Sequence, residues 1–367
     1  MRGGIEIWMN QLNPVEIADD GKSVKVGGGA LSKPVIDALY AAGKETTIGG
    51  CECTSILGPG LGGGHGWLQG RYGLVADQFL SMDIVFANGS LHTIDETSDL
   101  WWAMKGAGHN FGIVTSVTMK IYDVESPNWA FASFAFKGDK VEEVYEAATN
   151  HLLKNGTQPR DVINFSYFIN LPDIDPDNSV IVFFIVQGGV KVVDSEFTGP
   201  LTRIGPVATT TSTGTYLDLA PWILTSNVDG PCQKAGLINT RFPIDLETYN
   251  VQAQRDVYDL FSSATHETPA LNGSVFLLEG YPLQGVQAVP EESTAFPFRG
   301  DSLLLAPLIL YKPEGEELNK KAAKLGEDLR QTKKQMYGHE EWCQKKMLDL
   351  KNKYDPYRKF SFYAPIA

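Results

Sequence analysis

Residues 49 to 66, GGCECTSILGPGLGGGHG, hold eight glycines and no sustained apolar period. The stretch is therefore read as a loop that something approaches closely. Turns alone seldom need so many glycines, so the density points to a backbone surface on which a flat or anionic ligand meets N–H groups unobstructed by Cβ atoms. Gly58, Gly60 and Gly63 satisfy G-x-G-x-x-G, and Asp77 lies near the distance at which a dinucleotide-binding acid is sought. A Rossmann turn, however, follows a strand and opens a helix, whereas here more glycine follows, and then Trp67-Leu68-Gln69-Gly70. The nucleotide motif is read as accidental.

Around the loop the pattern is regular. Ser23 to Gly29 alternates like a strand, and Ser32-Lys33-Pro34 offers an N-cap and an early proline before a helical run closed by Gly43. Asp83–Ala87 and Leu91–Ile94 are apolar runs joined by Asn88-Gly89, the pair that favours a type I′ hairpin. Asp99 to Lys105 reads as a short amphipathic helix and Phe111 to Ile121 as a strand. Composition shifts near Pro127. Beyond it, strand-like stretches (Trp129–Phe136, Ser179–Gln187, Val275–Leu278) alternate with helical runs near 141–153, 216–226 and 248–264. That order predicts an antiparallel sheet with helices on one face. Glu316 to Lys353 is charged and helical, and Tyr354-Asp355-Pro356 stops it.

Length and charge narrow the function. A chain of 367 residues, 43% hydrophobic, can bury a sizeable core. It has no apolar run of about eighteen residues and no leader pattern, so neither a membrane span nor a signal peptide is expected. A formal net charge of -13 disfavours nucleic acid and anionic membrane surfaces as partners. Cys51, Cys53, Cys232 and Cys343 are too few and scattered for a disulfide framework, and Cys51 with Cys53 lacks a nearby pair to complete a zinc tetrahedron, so no metal site is expected. Asn-X-Ser/Thr sequons at Asn88, Asn155, Asn164 and Asn272 suit a secreted parent, although Asn164 lies in a strand-like run; localisation stays open.

Three segments in a fixed order carry a family resemblance. The Cys-to-GGGxG loop, the YGLxxD segment Tyr72–Asp77 and the WWAxxGAGxNFGIVT segment Trp101–Thr115 together resemble the FAD domain of berberine-bridge-like oxidoreductases of the vanillyl-alcohol-oxidase/PCMH superfamily. Tyr354–Phe360 (YDPYRKF) and Gly280–Arg299 resemble further segments of fungal members. The fold so implied is α+β, with an incomplete PCMH-type FAD-binding domain at 1–126, a substrate domain of antiparallel sheet with helices on one face at 127–335, and a segment 336–367 returning to the FAD domain. Relatives begin with a longer region that cradles the pyrophosphate, so the chain is read as N-terminally truncated. Phe298 replaces the histidine usual before Arg299.

The resemblance implies FAD as cofactor, held by Gly58, Gly62, Gly63, Gly64, His65, Gly66, Gly112, Ile113, Val114 and Tyr363. Counting eleven positions back from Gly62 reaches Cys51, which matches the cysteine that can bond to flavin C6; Cys53 is the alternative tether. Thr54 falls where the family gates oxygen, and its small side chain implies an open gate. Glu279, at the end of the strand VFLLE, matches the catalytic glutamate, with Tyr281 beside it and Arg299 in support. His65 could touch the ring. Asp77, Trp101 and Trp102 are read as structural, the acid fixing a turn and the indoles filling core.

The function implied is an oxygen-using FAD oxidase that takes a hydride from an alcohol, a sugar or a secondary-metabolite intermediate. Two other classes compete. A noncatalytic remnant predicts ligand binding without flavin turnover, and a nicotinamide-dependent dehydrogenase predicts NAD binding with no flavin spectrum.

Overall fold

The computed structural model of the protein describes residues 5–233, 236–330, 340–361 and 365–366. Two antiparallel sheets dominate it. The first contains β1 (Val15–Ile17), β2 (Ser23–Gly27), β3 (Phe79–Val85), β4 (Leu91–Asp95) and β5 (Ile113–Lys120) in the order β1-β2-β5-β3-β4. Val24, Val26, Met82, Ile84, Val117 and Met119 alternate onto one buried face. Helix α1 (Ser32–Ala41) covers it with Val35, Ile36 and Leu39, and Trp101, Trp102 and Phe111 join the same core.

Local chemistry departs from expectation at two points. Ser32 does not cap α1; the N-cap is Leu31, and the Ser32 hydroxyl instead donates to the Thr54 carbonyl at 2.9 Å, tying the helix to the glycine loop. The β3–β4 hairpin forms as expected but not through a type I′ turn, which needs positive φ at both central residues. Only Gly89 has one (φ 83), and the Asn88 side chain accepts from the Ser90 N–H.

The second sheet is built from β6 (Trp129–Phe136), β7 (Val162–Ile169), β8 (Val180–Gly188), β9 (Ala208–Gly214), β11 (Ile244–Leu246), β12 (Phe276–Gly280) and β13 (Leu303–Leu305); β10 (Ile238–Arg241) and β14 (Leu308–Tyr311) form a separate ribbon. Its strand order is β9-β6-β8-β7-β12-β13-β11. The two-residue side-chain period divides it cleanly. Phe134, Phe136, Phe168, Phe183 and Phe276 face α2 (Val141–His151), α3 (Ser195–Ile204), α4 (Val251–Glu267) and α5 (Glu316–Arg330). Burying each such ring contributes roughly 1.5–3 kcal/mol. Ile163, Phe165, Tyr167, Phe184 and Tyr281 face the other way, towards Trp67 and Leu68 beside the glycine loop.

The expected helical run 216–226 is reduced to a single 3-10 turn and the short helix Leu219–Trp222. Helix α6 (Glu341–Tyr354) returns to the first core through Cys343, Met347 and Leu350; residues 331–339, within the helical stretch expected up to 353, lie outside the described residues. Lys351, fully buried, donates to Asp355 at 2.7 Å and to the carbonyls of Asn110 and Phe360. Asn164 is buried and donates to the Tyr249 hydroxyl, so its sequon is closed to glycosylation in the folded chain. Among the described residues no helix is long and apolar enough to cross a membrane.

Candidate active site

Between the inner face of the second sheet and the start of the glycine loop lies a cavity of about 420 Å³. Strand alternation sets its sheet wall. On β12, Phe276 and Leu278 point into the helical core, so Leu277 and Glu279 point into the cavity, with Tyr281 one step further on the same face. Phe165, Tyr167 and Ile169 of β7, Leu304 of β13, and Leu308 and Leu310 of β14 extend the apolar wall. Gly49, Gly50, Cys51, Thr54 and His65 form the loop side, and residues 223–225 and 229–231 close the rest.

The polar groups cluster. The Tyr281 hydroxyl donates to Oε2 of Glu279 at 2.5 Å. The His65 ring stacks on Tyr281 with centroids 5.2 Å apart and planes 10° apart. Its Nε2 lies 3.0 Å from Asp245 Oδ1 and its Nδ1 2.9 Å from Gln69 Oε1. The Gln69 amide is oriented by its neighbours, since its NH2 donates to Pro282 O and its oxygen accepts from the Gly66 N–H. Both ring nitrogens of His65 therefore face acceptors, an arrangement that favours the doubly protonated ring.

The electrostatics agree. Burial pulls the His65 pKa down, but its bonds to Asp245 and Gln69 and the nearby Glu279 charge outweigh that and leave it raised. Burial pushes the Glu279 carboxyl above the ordinary value, against the Tyr281 bond and the positive charges of His65 and Arg241. Tyr281 is held well above the usual phenol value by burial and by the Glu279 charge, so it stays a neutral donor.

The expected site residues divide into two groups. Cys51, Thr54, His65, Glu279 and Tyr281 line one cavity. The glycines of the expected cofactor surface mostly pack against the chain itself. A Cβ on Gly63 (φ 104) would meet the Phe296 ring at 2.4 Å, one on Gly66 the Ile48 carbonyl oxygen at 2.5 Å, and one on Gly64 Val75 at 3.0 Å. Gly62 lies beside Pro59 and His109, and Gly58 belongs to the short helix Leu57–Gly60, where Ser55 Oγ accepts its N–H. Gly112 lets β5 close on Ile84 and Val85, and Ile113 and Val114 pair with those residues in the sheet. Tyr363 lies outside the described residues. The G-x-G-x-x-G motif runs through a four-residue helix with no strand leading into it, so the Rossmann reading of the motif is excluded.

Three readings are corrected. Cys53 forms a disulfide with Cys232, which occupies the sulfur proposed as the alternative tether and gives the scattered cysteines a bridge across 179 residues. The Cys51 thiol stays free, with its sulfur 3.4 Å from Cys53 and 3.5 Å from Cys232. Arg299 does not enter the cavity: it is buried on Asp77 through two bonds and donates also to Val286 O and Thr294 Oγ1. Asp77 accepts the Leu74 N–H, as a turn-fixing acid should, and Trp101 and Trp102 are core.

Sequence reasoning missed Asp245, Cys232 and Arg241. Asp245 and His65 are 180 positions apart, and no spacing pattern connects them. For Cys232 the one available signal was that a cysteine outside the loop needed a role.

A profile described as an FAD binding domain matches residues 1–95. FAD-linked oxidoreductase chyH of Penicillium rubens is 53% identical over 389 aligned positions, which span 100% of this chain and 78% of that protein. The xylooligosaccharide oxidase of Myceliophthora thermophila, solved with xylobiose, superposes with a TM-score of 0.77 at 18% identity, covering 98% of this chain and 80% of that one. The berberine bridge enzyme of Eschscholzia californica gives 0.76 at 16% identity, covering 97% and 79%.

Proposed function

The chain belongs to the FAD-linked oxidoreductases and has the berberine-bridge-type fold, and from that premise we propose that its cavity oxidises a small, largely apolar alcohol with Glu279 as the base. The observation that carries this reading is the Tyr281–Glu279 pair, beside the His65 ring, in a largely apolar cavity that also holds a free cysteine.

The cavity residues fit the reactive end of a flavin. A Cβ built on Gly49 would have one heavy-atom neighbour in contact range, the His65 carbonyl oxygen at 3.7 Å, so bare backbone lines that wall. Cys51 stands next to it, free to act as a tether, and Thr54 presents a small side chain at the same wall. FAD, when bound, supplies the two-electron acceptor that the protein's own side chains lack.

Glu279 takes the hydroxyl proton of the substrate, and the adjacent carbon then gives up its hydride to become a carbonyl. A raised pKa suits a carboxylate to this step, because it makes Glu279 a stronger base. Tyr281 fixes the carboxylate by donation from a phenol that does not ionise, and the His65 charge stabilises negative charge growing on the substrate oxygen. The apolar walls exclude water and favour an apolar substrate body over a sugar, which needs many hydrogen-bonding partners. With Thr54 leaving space, molecular oxygen serves as the final acceptor and becomes hydrogen peroxide.

The test is an absorption spectrum of the purified protein followed by anaerobic addition of benzylic and allylic alcohols. Bleaching of the flavin band, then its return with peroxide on admitting oxygen, is expected. Bleaching without return under oxygen would make the enzyme a dehydrogenase; a protein with no flavin band after incubation with FAD would overturn the reading. Yellow colour retained in acid-precipitated protein, and lost in Cys51→Ser, would establish the covalent tether.

A further inference from the structure

Arg241 lies at the end of β10 and lines the cavity. It is the only lysine or arginine among the described lining residues. Arg71, Arg160, Arg255, Arg299 and Arg330 each meet a carboxylate; Arg203, Arg241 and Arg358 form no ion pair among the described residues, and of these three Arg241 alone lines the cavity. The acidic groups that share the cavity are already engaged. Asp229 accepts from the Ser226 N–H and hydroxyl at 2.8 and 2.6 Å, and Glu279 accepts from Tyr281. Arg241 forms no ion pair with Glu279, yet its charge reaches that carboxylate and lowers its pKa, so the two groups face one space from separate positions.

We infer that Arg241 is a specificity-determining residue, and that the alcohol oxidised here also carries a carboxylate, which pairs with the guanidinium while the apolar body lies along the leucine-rich wall. The inference rests on the oxidation reading in taking this cavity as the substrate site. A guanidinium presents a fixed fork of donors that matches a carboxylate in a bidentate pair, and Arg241 offers that fork at the exposed rim of the cavity. A neutral apolar alcohol would leave that fork to solvent at the cavity rim.

Isothermal titration of benzoate into the purified full chain, with benzamide as the uncharged isostere, tests the inference without requiring turnover. Benzoate is expected to bind at least about tenfold more tightly than benzamide to the wild type, and Arg241→Gln is expected to abolish that preference. Equal affinities in the wild type, no benzoate binding, or a preference that survives in Arg241→Gln would each overturn it. A matching thermal melt for Arg241→Gln shows that the variant is folded. Calorimetry and flavin bleaching report separately, so failure of the oxidation reading and failure of the anion assignment are distinguishable.

Discussion

Tyr281 donates a hydrogen bond to Glu279 from two residues further along the chain, on the same face of the second sheet, at 2.5 Å. Positions i and i+2 of an extended chain share a face, so one short segment delivers both groups to the cavity already in register. The pair holds a carboxylate at raised pKa without leaving it unbonded, the condition a general base requires.

Replacing Glu279 by Gln keeps the volume and removes the base. Turnover is expected to fall by about 10²- to 10⁴-fold while the flavin spectrum is retained. Stopped-flow reduction of the bound flavin checks this, because the loss must appear in the reductive step.

The base must be deprotonated to act, so kcat/KM should rise with pH through the Glu279 pKa, which lies above the ordinary carboxylate value. Tyr281 donation and the His65 charge both lower that pKa. Tyr281→Phe and His65→Gln should therefore each move the acidic limb to higher pH. A pH profile of kcat/KM for the two variants gives the sign, and a shift to lower pH would refute the arrangement.

Lys351 and Asp355 are both fully buried and bonded to each other. Lys351→Met leaves the Asp355 carboxylate without its cation and is expected to cost about 3–5 kcal/mol of stability. Urea denaturation followed by tryptophan fluorescence measures it.

The Cys53–Cys232 bridge ties the glycine loop to the segment closing the cavity. Cys232→Ser should lower stability by about 2–4 kcal/mol under non-reducing conditions. Cys51→Ser should leave the bridge intact, and peptide mapping without reductant distinguishes the two.

Asp83 joins three strands, accepting from Lys25 on β2, Thr93 on β4 and Ser116 on β5, and these bonds hold its pKa at about 2. A depressed pKa contributes stability that is present above the unfolded value of 3.8 and is lost as pH falls towards 2. With the side chain 24% exposed, the contribution is discounted to about 1 kcal/mol. Asp83→Asn should lose that amount at pH 7 and nothing near pH 2, read from paired chemical denaturation curves.

Much of this was legible before any coordinates. The strand Trp129–Phe136 was read with its observed bounds, because eight residues of alternating side chains leave little choice of structure. Glu279 and Tyr281 are legible as candidates because they sit at the end of such a strand next to a family segment, and both line the cavity. The glycine loop is legible in the sequence as a place of close approach; which side chains and carbonyls crowd Gly63, Gly64 and Gly66 is not. There the partners are Phe296, Val75 and Ile48, and a missing Cβ looks the same in sequence whichever neighbour fills the space.

The sequence by itself determined the periodicities, and through them most of the strands and helices, an antiparallel sheet with helices against one face, and the family to which the loop belongs. These are local properties, set by backbone geometry and by the chemistry of near neighbours. Only the tertiary structure decided that His65 meets Asp245, that Cys53 meets Cys232, that Arg299 is spent on Asp77 and that Arg241 is left facing a cavity. Those relations join residues far apart in the chain, and they exist because sheet packing against the loop brings them within hydrogen-bonding distance, or, for Arg241, brings no ion-paired carboxylate among the described residues.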